Sequence, residues 1–181
     1  MNTSRQIRVT AWLLVILAVL GSAVLASAQD SAPAATAQEE SHRDLLYRIV
    51  EEGVTQGNFE VVSDLLSEAF IVHSPVGDLD REGFMAFMQA LRASLSDFKM
   101  TREAVIVEGD YAATRAMLTG TFDSADFASP LGVLPPNNQP ISVLIQTFHH
   151  FDDEGRIVEE WAMFDLMSFF TQLGALPAPS N

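Results

Sequence analysis

The sequence predicts an α+β domain in which helices cover one face of a curved antiparallel sheet. Between residues 41 and 91 the apolar side chains recur mostly at helical spacing, and from residue 99 to residue 164 they recur at every second position. Segregation of helices from strands along a chain is typical of α+β folds. A strongly bent sheet closed by helices forms a cone with an interior pocket, and such pockets suit small apolar ligands.

The N-terminal segment has the three-part pattern of a secretory signal peptide. Two arginines precede an apolar run from Trp12 to Leu25, and residues 26–28 (Ala-Ser-Ala) supply small side chains at the cleavage positions. We therefore expect cleavage before Gln29 and export of the mature protein to the periplasm or the medium. The alternative is an uncleaved anchor, because residues 9–28 are just long enough to span a bilayer. In that case only this segment would contact the membrane.

The composition excludes several classes of protein. The absence of cysteine excludes disulfides, zinc–thiolate sites and thiol catalysis, so the domain must rely on a hydrophobic core. The formal net charge is −14 and Lys99 is the only lysine, so the surface repels phosphates and nucleic acid is not an expected partner. The chain has no Gly-rich phosphate loop, no serine nucleophile elbow and no His-Glu-x-x-His motif. Neither a cofactor nor a metal is expected.

The helical half of the domain follows a spacer. Residues 29–40 are rich in Ala, Ser and Gln without apolar periodicity, which predicts a flexible spacer. The first helix is predicted to begin at a cap, Ser41, and to end at Gly57. Asn58 and Asp80 are predicted to cap the second and third helices.

The strands are predicted from alternation of apolar and polar residues. A short strand over Phe70–His73 lies between the second and third helices, and a last helix is predicted over residues 166–173. The folded domain therefore spans residues 41–177, with a loose tail over residues 178–181. The longer segments with a period of two cover residues 99–107, 111–122, 141–151 and 156–164.

Several short motifs, in this order and at these distances, resemble a known family. They are His73-Ser74-Pro75 with Gly77, Ser96-Asp97-Phe98, Val107 to Asp110, Arg115, Gly120-Thr121-Phe122, Gly155 to Trp161, Asp165, and Gln172-Leu173-Gly174. The chain resembles the SnoaL-like polyketide cyclases, also called ester cyclases, over residues 42–177. The resemblance implies the nuclear-transport-factor-two-like cone fold and a cofactor-free reaction by acid–base proton transfer.

Asp165 is the acid–base group that the resemblance implies. Trp161, Met163 and Asp165 share one face of the last strand by period-two alternation, so the carboxylate would lie in an apolar wall of the pocket. Burial there would raise its pKa towards the range useful for proton transfer. The resemblance gives this aspartate the removal of an α-proton and the protonation of a carbonyl. The alternative is that Asp165 only caps the last helix.

Four further residues are candidates for the pocket. The resemblance places His73 near the substrate, with a structural role beside the Pro-Gly turn as the alternative. His149 and His150 face opposite sides of their strand and cannot bind one metal together, and hairpin pairing brings His149 towards the last strand. Arg115 either pairs with a carboxylate inside the cone or projects to solvent. Phe87 belongs to an aromatic set that forms the core and can line the pocket.

Two hypotheses about function stay open. The first is a cyclase or isomerase acting on a small carbonyl compound, which the retained Asp165 favours. The second is a non-catalytic exported module that binds a small apolar ligand in the same cone, which export favours because polyketide tailoring is normally cytosolic. Phe122 and Glu160 stand where the family has histidine, and Ser96 where it has proline, so the substrate stays open. A homodimer is a further expected association.

Overall fold

The structure is a computed structural model that describes residues 36–177. The predicted signal peptide over residues 1–28, most of the predicted spacer and the predicted tail over residues 178–181 lie outside the described residues. Within the described part of the chain, no helix has both the length and the apolar character needed to cross a membrane.

Most of the helices precede most of the strands along the described region. The helices are α1 (Ala37–Arg48), α2 (Phe59–Leu65), α3 (Arg81–Ser94) and α4 (Leu166–Gln172), and a π-helical segment (Ile49–Thr55) continues α1. The strands are β1 (Leu66–Ser74), β2 (Gly77–Asp80), β3 (Leu95–Glu108), β4 (Tyr111–Phe122), β5 (Phe127–Ser129), β6 (Gly132–Leu134), β7 (Gln139–Phe151) and β8 (Ile157–Met163).

Six of these strands form one curved sheet in the order β2-β1-β8-β7-β4-β3, and β5 and β6 form a separate hairpin. The sheet is antiparallel except where β1 runs parallel to β8. The pairing register shifts within β3–β4 and within β7–β8, and bulges of this kind bend strands. The prediction of an α+β fold with a curved sheet and covering helices is confirmed.

The first helix begins earlier than predicted. Thr36 caps α1, since its hydroxyl accepts from the amide of Glu39 at 3.2 Å and its own amide donates to the Glu39 carboxylate at 2.7 Å. Two amide donors are satisfied by this reciprocal pair, which explains why it prevails over a cap at Ser41. Residues 37–40, which we predicted as spacer, are therefore helical. Glu39 also accepts from the amide of Gly109 at 3.1 Å, a tertiary contact that local sequence does not reveal.

The other predicted caps fall at the expected residues. The Asp80 carboxylate accepts from the amide of Gly83 at 2.8 Å and caps α3. Asn58 stands at the N-cap of α2, although its side chain makes no capping hydrogen bond. Gly57 has a φ of 79° and ends the π-helical segment, as its predicted role as a helix stop requires.

The core lies between the helices and one face of the sheet. Each fully buried apolar side chain of this core contributes about 1.5–3 kcal/mol relative to exposure. The opposite face of β7 and β8 carries exposed apolar side chains, so this sheet is covered on one side in that region. Among the most buried side chains are Leu46, Val50, Val54, Val62, Phe70, Leu118, Phe122, Ile141, Phe151 and Ile157.

Candidate active site

A cavity of ≈ 100 Å³ lies between the helices and the covered face of the sheet. This volume is on the scale of the roughly 150 Å³ engineered cavity that takes up benzene. Most of its wall is apolar, with side chains from the π-helical segment, α3 and the strands. The apolar wall includes Ile49, Val50, Val54, Val72, Phe84, Phe87, Met88, Ile145 and Ala162, and the polar side chains are Ser74, Arg102, Thr147, His149 and Glu160.

Polar side chains cross this wall in one row that runs over four adjacent strands. We call it the polar row; it comprises Arg102 of β3, Thr114 of β4, Thr147 and His149 of β7, and Glu160 of β8. Thr114 pairs in register with Thr147, and His149 pairs with Glu160. The row is buried: His149 is 2% exposed, Arg102 is 8% exposed and the Glu160 side chain is 12% exposed.

Hydrogen bonds connect four members of the polar row, Arg102, Thr114, Thr147 and His149. Nη1 of Arg102 donates to Oγ1 of Thr114 at 2.5 Å, and Nη2 donates to the carbonyl oxygen of Leu46 at 3.3 Å. Oγ1 of Thr114 lies 2.5 Å from Oγ1 of Thr147, which lies 2.7 Å from Nε2 of His149. On the cavity side, Nδ1 of His149 lies 3.5 Å from Oε2 of Glu160.

Two buried nitrogen atoms of the row have no hydrogen-bond partner within residues 36–177. They are Nε of Arg102 and Nδ1 of His149. Buried polar atoms in folded proteins are rarely left without a partner, so each such atom calls for an explanation. In a cavity wall, the explanation that fits is a ligand oxygen able to accept a hydrogen bond.

Burial controls the protonation of the row. Desolvation raises the pKa of Glu160 to about 7, although the cationic Arg102 opposes this shift. Desolvation, together with the nearby charge of Arg102, lowers the pKa of His149 to about 3. Burial lowers the pKa of Arg102, and the carboxylate of Glu160 offsets only part of this shift. Near neutral pH the imidazole is therefore neutral, and the Glu160 carboxyl group can take up or release a proton.

The prediction that Trp161, Met163 and Asp165 face the pocket is wrong. Trp161 is 36% exposed, Met163 is 64% exposed, and Asp165 is exposed. Neighbouring side chains of a strand point to opposite faces, and Glu160 and Ala162 line the cavity, so Trp161 and Met163 face away from it. The Asp165 carboxylate accepts from the amide of Ser168 at 2.9 Å and caps α4, the role that the alternative gave it.

On the outer face of the sheet, Trp161 belongs to a row of exposed or half-buried aromatic rings. Its ring centroid lies 5.8 Å from that of His73 and 5.8 Å from that of Phe148. Tyr111 continues the row, with its centroid 5.4 Å from that of Phe148 and 4.5 Å from that of His150. Cross-strand contacts of this type stabilise a sheet, which gives Trp161 a packing role outside the cavity.

His73 lies outside the cavity wall, although its neighbour Ser74 lines it. Its Nδ1 is 3.0 Å from Oδ1 of Asp78, and its Nε2 is 3.0 Å from Oε1 of Glu159. These hydrogen bonds to Asp78 and Glu159 raise the pKa of His73. The geometry corresponds to the structural alternative for His73 beside the Pro-Gly turn.

Arg115, another predicted pocket residue, also lies outside the cavity wall. Its Nη1 lies 2.8 Å from Oε2 of Glu103, with both side chains partly exposed. Arg115 and Thr114 are neighbours in β4 and point to opposite faces, so Arg115 cannot reach the cavity while Thr114 belongs to the polar row.

The cavity does contain two of the predicted residues. Phe87 of α3 and His149 of β7 line it, as expected for pocket residues. Sequence reasoning missed Arg102 and Thr147 as cavity residues, and it missed Thr114, which connects them by hydrogen bonds. From the sequence, Glu160 stands out only as a replacement for a histidine of the family. Its pairing with His149 across the β7–β8 hairpin is the signal that could have placed it in the cavity. Among the described residues, no group of histidine, aspartate and glutamate side chains is arranged to hold a metal ion.

Fold, cavity and sequence together place the protein in a family. The chain belongs to the SnoaL-like polyketide cyclases, whose family pattern matches residues 44–173. A candidate SnoaL-like polyketide cyclase from Jannaschia sp. CCS1 is similar in structure, with 24% identity and a TM-score of 0.67 over 79% of this chain and 98% of its own. IdmH, a candidate polyketide cyclase from Streptomyces antibioticus, has 26% identity and a TM-score of 0.60 over 74% of this chain and 98% of its own.

A third similar structure contains a ligand. It is a protein of ketosteroid isomerase-like fold from Catenulispora acidiphila in complex with trimethylamine, with 17% identity and a TM-score of 0.55 over 76% of this chain and 97% of its own. No curated protein matches the chain. The comparisons therefore identify the family and the fold, whereas the residues of the cavity must identify the chemistry.

Proposed function

We propose that the protein is a cofactor-free cyclase or isomerase that moves protons on a small carbonyl compound, with Glu160 as its acid–base group. The observation that carries the proposal is a buried carboxyl group beside an unpartnered imidazole nitrogen in a mostly apolar cavity. Membership in a family of cyclases supports the reaction class. Glu160 takes the role that the sequence resemblance implied for Asp165, because Asp165 is exposed and does not line the cavity.

The reaction begins with proton removal by Glu160. Its carboxylate takes a proton from the carbon next to the carbonyl, and the electron pair of that bond moves to form an enolate. Negative charge develops on the carbonyl oxygen, where the free donor of Arg102 and the imidazole of His149 can stabilise it. Preorganised donors in a dry cavity act more strongly than donors in water because no reorganisation is required.

The second half of the reaction distinguishes an isomerase from a cyclase. In an isomerisation, protonated Glu160 returns the proton to a different carbon of the enolate. In a cyclisation, the enolate carbon forms a bond to a second carbonyl carbon, and the resulting alkoxide takes the proton from Glu160. Both outcomes need one group that accepts and then donates a proton, and a pKa near 7 suits Glu160 to both steps.

Exchange of carbon-bound hydrogen tests proton transfer without knowledge of the natural substrate. Cyclohexanone and ethyl acetoacetate are incubated with the protein in D₂O, and loss of the α-proton signal is followed by NMR. We expect exchange above the buffer rate for the wild type and about 10²–10⁴-fold slower exchange for Glu160→Gln, since general acid–base catalysis contributes that factor. Asp165→Asn is the matched control and should exchange at the wild-type rate.

Two results would contradict the assignment of Glu160. One is wild-type exchange of these ketones no faster than in buffer, and the other is exchange that survives Glu160→Gln within a few-fold. Binding of the ketones without any exchange would instead support the second candidate, a non-catalytic binding module. The observation that favours this candidate is the mostly apolar wall of the cavity, which suits an apolar ligand.

We also propose that the mature protein is exported, because residues 26–28 follow the apolar run as a cleavage site. Intact mass of the protein recovered outside the cytoplasm should correspond to a chain that begins at Gln29. Recovery of the full-length chain in the membrane fraction would instead support the uncleaved anchor. The homodimer stays a prediction, which the molar mass in solution would test.

A further inference from the structure

The polar row contains a chain of hydrogen bonds that starts at a group able only to donate. The guanidinium of Arg102 has no acceptor atom, so Thr114 must receive the hydrogen bond from Nη1. The next contacts are Thr114 to Thr147 and Thr147 to Nε2 of His149, and each threonine hydroxyl has a single hydrogen to donate. The direction of the first bond therefore limits the direction of the others.

Only one arrangement gives every hydroxyl hydrogen of this chain an acceptor. If Thr114 donates to Thr147 and Thr147 donates to His149, both hydrogens are used and Nε2 of His149 is an acceptor. If the chain runs the other way, the hydrogen of Thr114 has no acceptor within the described residues, because Arg102 and Thr147 both donate to it. A buried hydroxyl hydrogen without an acceptor is unfavourable, so the first arrangement prevails.

We propose that Arg102, Thr114 and Thr147 hold His149 in the tautomer protonated at Nδ1, and that Nδ1–H donates a hydrogen bond to the carbonyl oxygen of the ligand. A neutral imidazole whose Nε2 accepts must carry its proton on Nδ1. That nitrogen is buried in the cavity wall and has no partner among the described residues. The three residues are positioning residues, because they act on the ligand through His149.

This tautomer places the hydrogen-bond donor next to the proton acceptor. Nδ1 of His149 lies 3.5 Å from Oε2 of Glu160, so a carbonyl oxygen bound at Nδ1 brings its neighbouring carbon close to the carboxylate. The site therefore favours a compact ketone or ester over a hydrocarbon of the same shape. The carbonyl preference rests on the proposed function, whereas the tautomer depends only on the hydrogen bonds of the polar row.

The tautomer is measured directly by NMR. In protein labelled with ¹⁵N at histidine, long-range ¹H–¹⁵N correlation spectra distinguish the protonated nitrogen of a neutral ring from the unprotonated one, and His149→Gln assigns the signals of His149. We expect the wild type at neutral pH to show a protonated Nδ1 and an unprotonated Nε2. Thr147→Val, which keeps the shape but removes the hydroxyl, should shift the population towards protonated Nε2. Thr119→Val, a threonine of β4 outside the polar row, should leave the spectrum of His149 unchanged.

Cyclohexanone serves as the ligand in the second measurement, with methylenecyclohexane as the isostere that lacks the oxygen. We expect the ketone to shift the Nδ1–H resonance of His149 and the hydrocarbon to leave it in place. Thr147→Val should weaken ketone binding by about 2- to 10-fold, the factor expected for one hydrogen bond held less well. A merely structural role of Thr147 would change stability without changing the tautomer.

The outcomes separate this inference from the proposed function. A wild-type His149 that is protonated at Nε2, or a tautomer that Thr147→Val leaves unchanged, would overturn the inference even if Glu160 catalyses proton exchange. A ketone that fails to perturb Nδ1–H would overturn the recognition of the carbonyl oxygen. The Nδ1–H tautomer together with ketone binding, in a protein that exchanges no α-protons, would support the inference and overturn only the proposed catalysis.

Discussion

Replacement of Glu160 by glutamine should change how the stability of the protein depends on pH. The pKa of Glu160 is raised from 4.5 to about 7 by burial, so between these values the folded state holds a proton that the unfolded state has released. Its contribution to the free energy of unfolding is fully present below pH 4.5 and is lost as the pH rises to about 7. At 1.36 kcal/mol for each pKa unit, the loss is about 3 kcal/mol.

The contribution of His149 to the free energy of unfolding depends on pH in the opposite direction. Its pKa is lowered from 6.5 to about 3, so its contribution is present above pH 6.5 and is lost as the pH falls towards 3. Between pH 4.5 and 6.5 the two contributions change in opposite directions and largely cancel in the wild type. Glu160→Gln removes one of them, so the variant should lose stability steadily as the pH falls through this range. His149→Gln should lose stability as the pH rises from 4.5 to about 7.

Urea unfolding at a series of pH values between 4 and 8 provides the measurement, with the wild type as the reference at each pH. The difference in free energy of unfolding between each variant and the wild type removes the contributions of all other titrating groups. Glu68→Gln, at an exposed glutamate of β1, is the matched control for loss of a carboxylate outside the cavity. A difference for Glu160→Gln that is constant from pH 4.5 to 7 would refute the burial of a protonated carboxyl group in the cavity.

Three further predictions concern other parts of the fold. Asp165→Ala should lower the free energy of unfolding by about 0.5–2 kcal/mol through loss of the cap, whereas Asp165→Asn should change it by only about a few tenths of a kcal/mol. Urea unfolding measures both, and equal losses would argue against a capping role. Gly53→Ala should destabilise the protein by about 1–3 kcal/mol, because the added Cβ would overlap the side chain of Val62, and an unchanged midpoint would contradict this packing. NMR titration should show a pKa of His73 above its ordinary value and a decrease in Asp78→Asn; a pKa unaffected by that substitution would exclude the pairing.

Much of the secondary structure could be predicted because local rules determine it. Strand β4 has the predicted bounds, and α3 begins after the predicted cap, Asp80. Errors occurred where distant contacts decide the outcome. The first helix extends back to Ala37 because Glu39 is held both by Thr36 and by the amide of Gly109 in the β3–β4 turn. The π-helical segment that continues α1 has no local signal that we recognised.

The site was harder to predict than the fold, since strand alternation yields two faces without saying which one is covered. On β8, one face offers Trp161 and Met163 and the other Glu160 and Ala162, and the more apolar pair turned out to face outward. The outer pair is stabilised by contacts of Trp161 with rings on neighbouring strands, such as Phe148. Composition along one strand cannot reveal these contacts.

The sequence by itself determined the family, the α+β architecture, the absence of thiol chemistry and the acidic surface, because composition, motif order and periodicity are local or additive properties. Only the tertiary structure decided which carboxyl group enters the cavity. Glu160 is brought beside His149 by the register of β7 and β8, and Arg102 reaches the same wall through Thr114 on the intervening strand β4. The protonation of such a group depends on burial and on neighbours from distant strands, which exist only once the sheet has formed.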